Sequence, residues 1–70
     1  NMTIREQMIH NIICKLENRE LEPSRENVYK LAVETATRIG GSYQEYWSEL
    51  VKQQHSEYFY NNVLKAYGRL

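Results

Sequence analysis

Residues 2–16 read MTIREQMIHNIICKL, and this stretch decides the fold. Thr3 and Glu6 have the spacing of a capping box, in which hydroxyl and carboxylate each accept a hydrogen bond from an unpaired backbone amide. At about 100° per residue, the apolar side chains fall within one arc about 180° wide. Its members are Met2, Ile4, Met8, Ile9, Ile12, Ile13 and Leu16. Because one neighbour cannot cover such an arc, we expect a helix over about residues 3–19 that is central to the domain or partly faces a second copy.

Two breaks delimit a second helix. Pro23 disfavours the α conformation of the residue before it, and Ser24 is a good N-cap. Gly40 and Gly41 supply a left-handed stop, so the helix should end at about residue 39. Its apolar stripe is expected to comprise Val28, Leu31, Ala32, Thr35 and Ile39, widened by Tyr29 and Ala36.

The remaining residues predict one or two further helices. Ser42 with Glu45 forms a second possible capping box, and the face that follows comprises Tyr43, Tyr46, Trp47, Leu50, Val51 and Gln54. A second stripe, of Phe59, Val63, Ala66 and Leu70, lies about 150° away. We expect a break near His55, with Ser56 capping a fourth helix over about residues 57–68. The alternative is one long helix whose second face is free for a partner.

Size and composition restrict the functional classes. The chain of 70 residues should form one all-α domain of three or four helices. Nine basic side chains balance nine acidic ones, which does not favour binding through phosphate contacts. No apolar run approaches the roughly 20 residues of a membrane span. A single cysteine indicates a reducing cytoplasm, and Asn1 is expected to be a cloning remnant before a natural start at Met2.

Catalytic motifs are absent from the sequence, including a nucleophile elbow, a P-loop and a dinucleotide-binding fingerprint. We therefore expect neither enzymatic activity nor a cofactor. His10 and Cys14 lie one helical turn apart and Glu17 follows, a spacing that can hold a metal. Two such side chains and a carboxylate do not close a tetrahedral structural site, so we expect a polar face with an incidental thiol.

The helix, glycine turn and helix of residues 24–54 have the order of a helix-turn-helix. If this segment bound DNA, its contacts would come from Arg25, Lys30, Arg38, Gln44 and Lys52. However, Gly41 stands where the motif has an apolar residue, and Glu45 and Glu49 would meet phosphates. An ordinary corner between two helices is favoured.

Aromatic residues are concentrated in the second half of the chain. Core packing explains two of the last four, and four aromatics across a change of helical phase cannot all be internal in so small a domain. Exposed aromatic clusters are typical of protein interfaces. We expect the partner-binding residues to be Tyr58, Phe59, Tyr60 and Tyr67. Together with the broad first arc, they also predict a homodimer at micromolar concentration.

Two stretches resemble known bacterial families. Ala32, Gly41-Ser42-Tyr43, Leu50, Asn62 and Arg69 carry the first resemblance. Through them residues 29–69 resemble the short enterobacterial regulators of the ANR group, negative regulators of AraC-type activators, and the related PerC-type proteins. Leu50 stands where that family has tryptophan, and the family's terminal cysteine has no counterpart. The resemblance implies a regulator that binds transcription factors or nucleoid proteins.

A second resemblance covers residues 3–51. It is carried by Thr3-Ile4-Arg5-Glu6, by Pro23-Ser24 with Val28 five positions after the proline, and by Gly40-Gly41-Ser42-Tyr43. These residues are similar to the N-terminal domain of KfrA-type plasmid DNA-binding proteins, although the segment between Val28 and Gly40 is a turn or two longer. It implies a DNA-binding role in plasmid biology.

These observations favour a small, non-enzymatic bacterial regulator, acting in transcription control through a protein partner and without membrane association. The first alternative is a helix-turn-helix-like DNA-binding domain that uses residues 24–54. The second is a phage-type inhibitor of a host enzyme.

Overall fold

The computed structural model describes residues 1–68 and folds them into four helices. These are α1 (Ile4–Asn18), α2 (Arg25–Ile39), α3 (Gly41–Lys52) and α4 (Ser56–Tyr67). No strand occurs in this part of the chain, so the predicted all-α fold is confirmed. Arg69 and Leu70, which contributed to the first resemblance and to the last apolar stripe, lie outside the described residues. None of the four helices is long and apolar enough to cross a membrane.

The first two helices begin at the predicted caps. The Thr3 hydroxyl accepts from the Glu6 amide at 3.1 Å, and the Glu6 carboxylate accepts from the Thr3 amide at 2.8 Å. The Ser24 hydroxyl accepts from the Asn27 amide at 3.1 Å. Caps of this kind typically contribute about 1 kcal/mol each to helix stability. They therefore determine the residues at which α1 and α2 begin.

The third helix begins differently from the prediction. Gly40 has a φ of 69° and Gly41 a φ of 54°, both in the left-handed region. The turn is therefore so short that α3 starts at Gly41, with no side-chain cap. Ser42 and Glu45 already lie inside the helix, so the predicted capping box is wrong.

A break separates α3 from α4, as the change of phase predicted. Gln54 has a φ of 60°, and the His55 amide donates to the Leu50 carbonyl at 2.9 Å. Ser56 is the first residue of α4 and not its predicted cap. The alternative of one long helix is wrong, because the break turns the second stripe toward the core and buries Phe59 completely.

The first helix packs against each of the other three, as does α2. The buried side chains of α1 are Met8, Ile9, Ile12, Ile13 and Leu16. The predicted apolar arc is not buried at its first residue, because Met2 is exposed. The arc is thus covered within one chain, which removes one of the two reasons for expecting a homodimer.

The predicted stripes of the other helices are buried along most of their length. The rest of the core consists of Val28, Leu31, Ala32, Thr35, Ala36, Trp47, Leu50, Phe59 and Val63. The edges of the stripes are exposed instead, at Tyr29, Ile39 and Val51. Together with Met2, Val33 and Tyr58, these edges form the exposed apolar surface of the described residues.

Candidate partner-binding site

A small cleft opens where α2, α3 and α4 meet. Its volume is about 70 Å³, and it is lined by Arg25, Val28, Tyr29, Trp47, Ser56, Glu57, Phe59 and Tyr60. We call it the aromatic cleft, because four of these eight residues are aromatic. Small-molecule sites usually have volumes of about 300–1,000 Å³. The cleft is therefore of a size to take one side chain of a partner.

Three rings in edge-to-face contact build the inner part of the cleft. The short turn at Gly40 packs α3 against α2, which places the Trp47 ring 5.7 Å from that of Tyr29 at 65°. The break before α4 places the Phe59 ring 5.3 Å from that of Trp47 at 70°. Such aromatic pairs contribute about 0.5–1.5 kcal/mol beyond the burial of their area. The cleft is therefore bordered by rings that are packed in place.

An ion pair closes one side of the cleft. The Arg25 Nε donates to a Glu57 carboxylate oxygen at 2.9 Å, and the guanidinium lies over the Tyr60 ring, 4.9 Å from its centroid. The Tyr60 hydroxyl donates to the Pro23 carbonyl at 3.3 Å. The hydrogen bond lowers the pKa of Glu57 and raises that of Arg25. Both charged side chains are more than half exposed, at 57% and 68%, so water screens the pair and it contributes little to stability.

The four aromatics predicted to bind a partner do not share one surface. Phe59 is only 1% exposed, so it is a core residue that lines the cleft from inside and offers almost no surface of its own. Tyr67 is half-buried against the core. Tyr60 lines the aromatic cleft. Tyr58 lies beside Arg5, and the Arg5 guanidinium is 6.0 Å from the centroid of the Tyr58 ring. Consecutive residues of a helix point about 100° apart, so residues 58–60 could not all lie on one face.

Tyr29 and Trp47 belong to the cleft, although the sequence pattern placed both in core stripes. Tyr29 is half exposed. Val33, one turn further along α2, and Val51, one turn after Trp47, are exposed as well. The sequence contained one indication of this, because Tyr29 lies at the edge of the predicted apolar stripe of α2 and not at its centre. Because residues four apart lie on the same face of a helix, we infer that Val33 and Val51 continue the exposed apolar surface that begins at Tyr29 in the cleft.

The five side chains predicted to contact DNA are all exposed: Arg25, Lys30, Arg38, Gln44 and Lys52. The three on α2 each pair with a carboxylate of the chain. Glu45 and Glu49 are exposed on α3, the helix that would enter the groove. A duplex would have to compete with those ion pairs and approach these carboxylates, which is unfavourable.

The metal-like spacing on α1 brings two side chains together. The Cys14 sulfur lies 3.6 Å from His10 Nε2. Within residues 1–68, no group of three or more His, Cys, Asp or Glu side chains could hold a metal ion. Glu17 therefore does not complete a site with this pair.

A second group of charges joins α1 to α2. Arg19 donates two hydrogen bonds to the Glu34 carboxylate, at 3.1 and 2.8 Å. Lys15 Nζ lies 3.5 Å from the same carboxylate and donates to the buried Thr35 hydroxyl at 2.8 Å. Arg38 approaches to 4.0 Å. The contacts with Arg19 and Lys15, the Arg19 hydrogen bond first, lower the pKa of Glu34 to about 2. We call these five residues the Glu34 cluster.

Comparison with known protein families, with curated proteins and with solved structures found nothing that matches the chain.

Proposed function

We propose that the protein is a small non-enzymatic regulator in bacterial transcription control, acting in the cytoplasm by binding a protein partner. The partner is bound at the aromatic cleft and at the adjoining side chains of Tyr29, Val33 and Val51. The observation that carries this proposal is the cleft itself, in which a half-exposed tyrosine stands beside packed rings.

The composition of this surface fits a protein interface better than a small-molecule site. Interfaces typically have an apolar, aromatic centre and a polar rim, and a few residues such as Trp, Tyr and Arg carry most of the binding energy. Here Tyr29, Trp47 and Tyr60 supply the aromatic centre, and the Arg25–Glu57 pair supplies a polar rim. Since the cleft admits one side chain, the partner would insert one residue and cover the exposed apolar edge around it.

The test is an affinity capture from bacterial lysate, with and without nuclease, using the wild type, Tyr29→Ala and Tyr58→Ala. The two tyrosines are 50% and 55% exposed, so the two variants lose similar surface from different faces. We expect one protein that the wild type and Tyr58→Ala retain, that Tyr29→Ala loses, and that nuclease does not release. Loss with Tyr58→Ala alone would place the interface beside Arg5 and contradict the proposed site.

DNA binding by residues 24–54 is the second candidate function. It is favoured by one observation, that the exposed Gln44 and Lys52 lie on a helix that follows a tight glycine turn. The neighbouring Glu45 and Glu49 weigh against it. A protein captured only in the absence of nuclease would support this candidate over the first.

Two further possibilities concern the kind of partner. A host enzyme inhibited by a phage-type protein would be captured in the same experiment and identified by its activity. A second copy of this chain is the homodimer predicted from the aromatic surplus. Sedimentation at several hundred micromolar tests it, because a species of only 8.4 kDa would exclude it.

A further inference from the structure

The lining of the aromatic cleft already holds one cation, the chain's own Arg25. Its guanidinium lies over the Tyr60 ring and donates to the Glu57 carboxylate. The face of an aromatic ring carries partial negative charge and attracts a cation. A carboxylate beside such a ring adds a charge-assisted hydrogen bond. The chemistry of the lining is thus that of a receptor for a guanidinium or ammonium group.

Further rings extend this receptor away from Arg25. Tyr29 and Trp47 line the same cleft and stand at 65° to each other, so the space between Tyr60 and Tyr29 is bordered by aromatic walls of different orientation. Its volume of about 70 Å³ suits a single head group. A larger ligand would extend out of the cleft.

Arg25 is held in a way that makes it replaceable. It is the first residue of α2, where the partial positive charge of a helix N-terminus disfavours a cation. Glu57 lies in the first turn of α4, where the helix dipole favours a carboxylate with or without Arg25. Arg25 donates to Glu57 through both Nε and Nη2, but the pair is largely exposed, so water competes for these hydrogen bonds and screens the charges. Another cation could therefore take the place of Arg25 at low cost.

We propose that the aromatic cleft binds one cationic side chain, arginine or lysine, of a protein partner, and that this side chain displaces Arg25 from Glu57 and from the Tyr60 ring. This inference rests on the proposed function and names the chemistry that its site recognises. Arg25 occupies the site in the absence of the partner.

The experiment uses Trp47, the one tryptophan of the chain, as the reporter, because its ring lines the cleft. The wild type is titrated with a capped alanine peptide that contains one arginine, and its fluorescence is recorded. Matched peptides carry lysine, or citrulline, which has the shape of arginine without its charge. We expect saturable but weak binding of the arginine peptide, with a Kd on the order of 10⁻³–10⁻² M, and about fivefold weaker binding of the citrulline peptide. The lysine peptide shows which head group is preferred.

Two variants separate recognition from structural support. Glu57→Gln should weaken binding of the arginine peptide about fivefold, because the charge partner is lost. Arg25→Ala should bind it at least as tightly as the wild type, because the competing cation is gone. The control is Glu26→Gln, which removes an exposed carboxylate paired with Lys30 outside the cleft and should leave binding unchanged.

Three results would overturn the inference: equal binding of the arginine and citrulline peptides, no fluorescence change up to about 10 mM peptide, or equal loss of binding in Arg25→Ala and Glu57→Gln. A captured partner that still depends on Tyr29 would then leave the proposed function standing. Conversely, cation binding without any Tyr29-dependent partner would contradict the proposed function alone.

Discussion

At one end of α2 the charged side chains close a seam between helices, whereas at the other end they border an open cleft. Glu34 is 30% exposed and has three cations within 4.0 Å, one of which also binds the buried Thr35. The Arg25–Glu57 pair is about twice as exposed and borders a cavity. Similar ion pairs therefore have different roles according to what lies beneath them. Packed side chains lie beneath the first pair, so we expect it to stabilise the fold, whereas free space borders the second pair, where we propose that a partner binds.

The apolar residues beneath these two regions also differ in exposure. On the α1 side Met8, Ile12 and Leu16 are fully buried. Around the cleft, Tyr29, Val33 and Val51 remain exposed. We therefore expect substitutions on the α1 side to change stability, and those around the cleft to change partner affinity.

The largest expected effect is on the closed side. Ile12→Ala should lower the free energy of unfolding by about 2–4 kcal/mol, because a fully buried side chain leaves a cavity in the centre of the core. Urea denaturation measures the loss. Ile39→Ala is the matched control, since Ile39 is 54% exposed, and it should change stability by no more than about 0.5 kcal/mol. A melting temperature of Ile12→Ala within a couple of degrees of the wild type would mean that α1 is not central.

On the open side, the effect should fall on binding. Tyr29→Ala should cost about 2 kcal/mol or more of affinity for the captured partner, as expected for an interface aromatic. Titration calorimetry with the purified partner measures it. Tyr58→Ala should bind like the wild type. Equal losses in both variants would indicate an indirect effect on the fold and would remove the distinction between the two regions.

The Glu34 cluster makes stability depend on acid pH. The ordinary pKa of this carboxyl is 4.5, and in the folded protein it is about 2. The contribution of its ion pairs is therefore complete above pH 4.5 and is lost as the pH falls toward 2. Glu34→Gln should flatten the decline of melting temperature in that window. Glu26→Gln, which removes an exposed pair on the same helix, should not flatten this decline. If melting temperature fell equally steeply with pH in the wild type and in Glu34→Gln, the stabilising role of the Glu34 cluster would be refuted.

The smallest expected signal is DNA binding. We expect no affinity for duplex DNA tighter than about 10⁻⁵ M at physiological salt, the range of non-specific contacts. Fluorescence anisotropy across a salt titration measures it. Nanomolar, sequence-selective binding that Arg38→Glu and Lys52→Glu abolish, with Tyr29→Ala unaffected, would promote the DNA-binding alternative.

Local rules in the sequence were enough to predict the elements of the fold. Thr3 with Glu6 and Pro23 with Ser24 define helix starts through contacts between near neighbours, and the phase change after Gln54 predicts the break. The start of α3 could not be predicted in the same way. The first residue of α3 depends on the backbone angles of Gly40 and Gly41. Both have a positive φ, which lets the helix begin at Gly41 and places Ser42 inside it.

The candidate site depends on contacts between helices that are distant in the chain. This is why only Phe59 and Tyr60 of the predicted four line the cleft, and why Phe59 does so from within the core. The rotation of α4 relative to α3 decides that Phe59 faces the core while Tyr58 faces away. The pairing of Tyr29 with Trp47 depends on how α3 packs against α2. Periodicity along one helix contains neither piece of information.

The most direct test of the central claim, that a protein partner binds at the aromatic cleft, is site-specific photo-cross-linking. A photoreactive phenylalanine analogue is placed at position 29 in one sample and at position 58 in another, and both are irradiated with the captured partner. We predict that the partner cross-links at position 29 and not at position 58. Cross-linking at position 58 alone, or equally at both positions, would contradict the account.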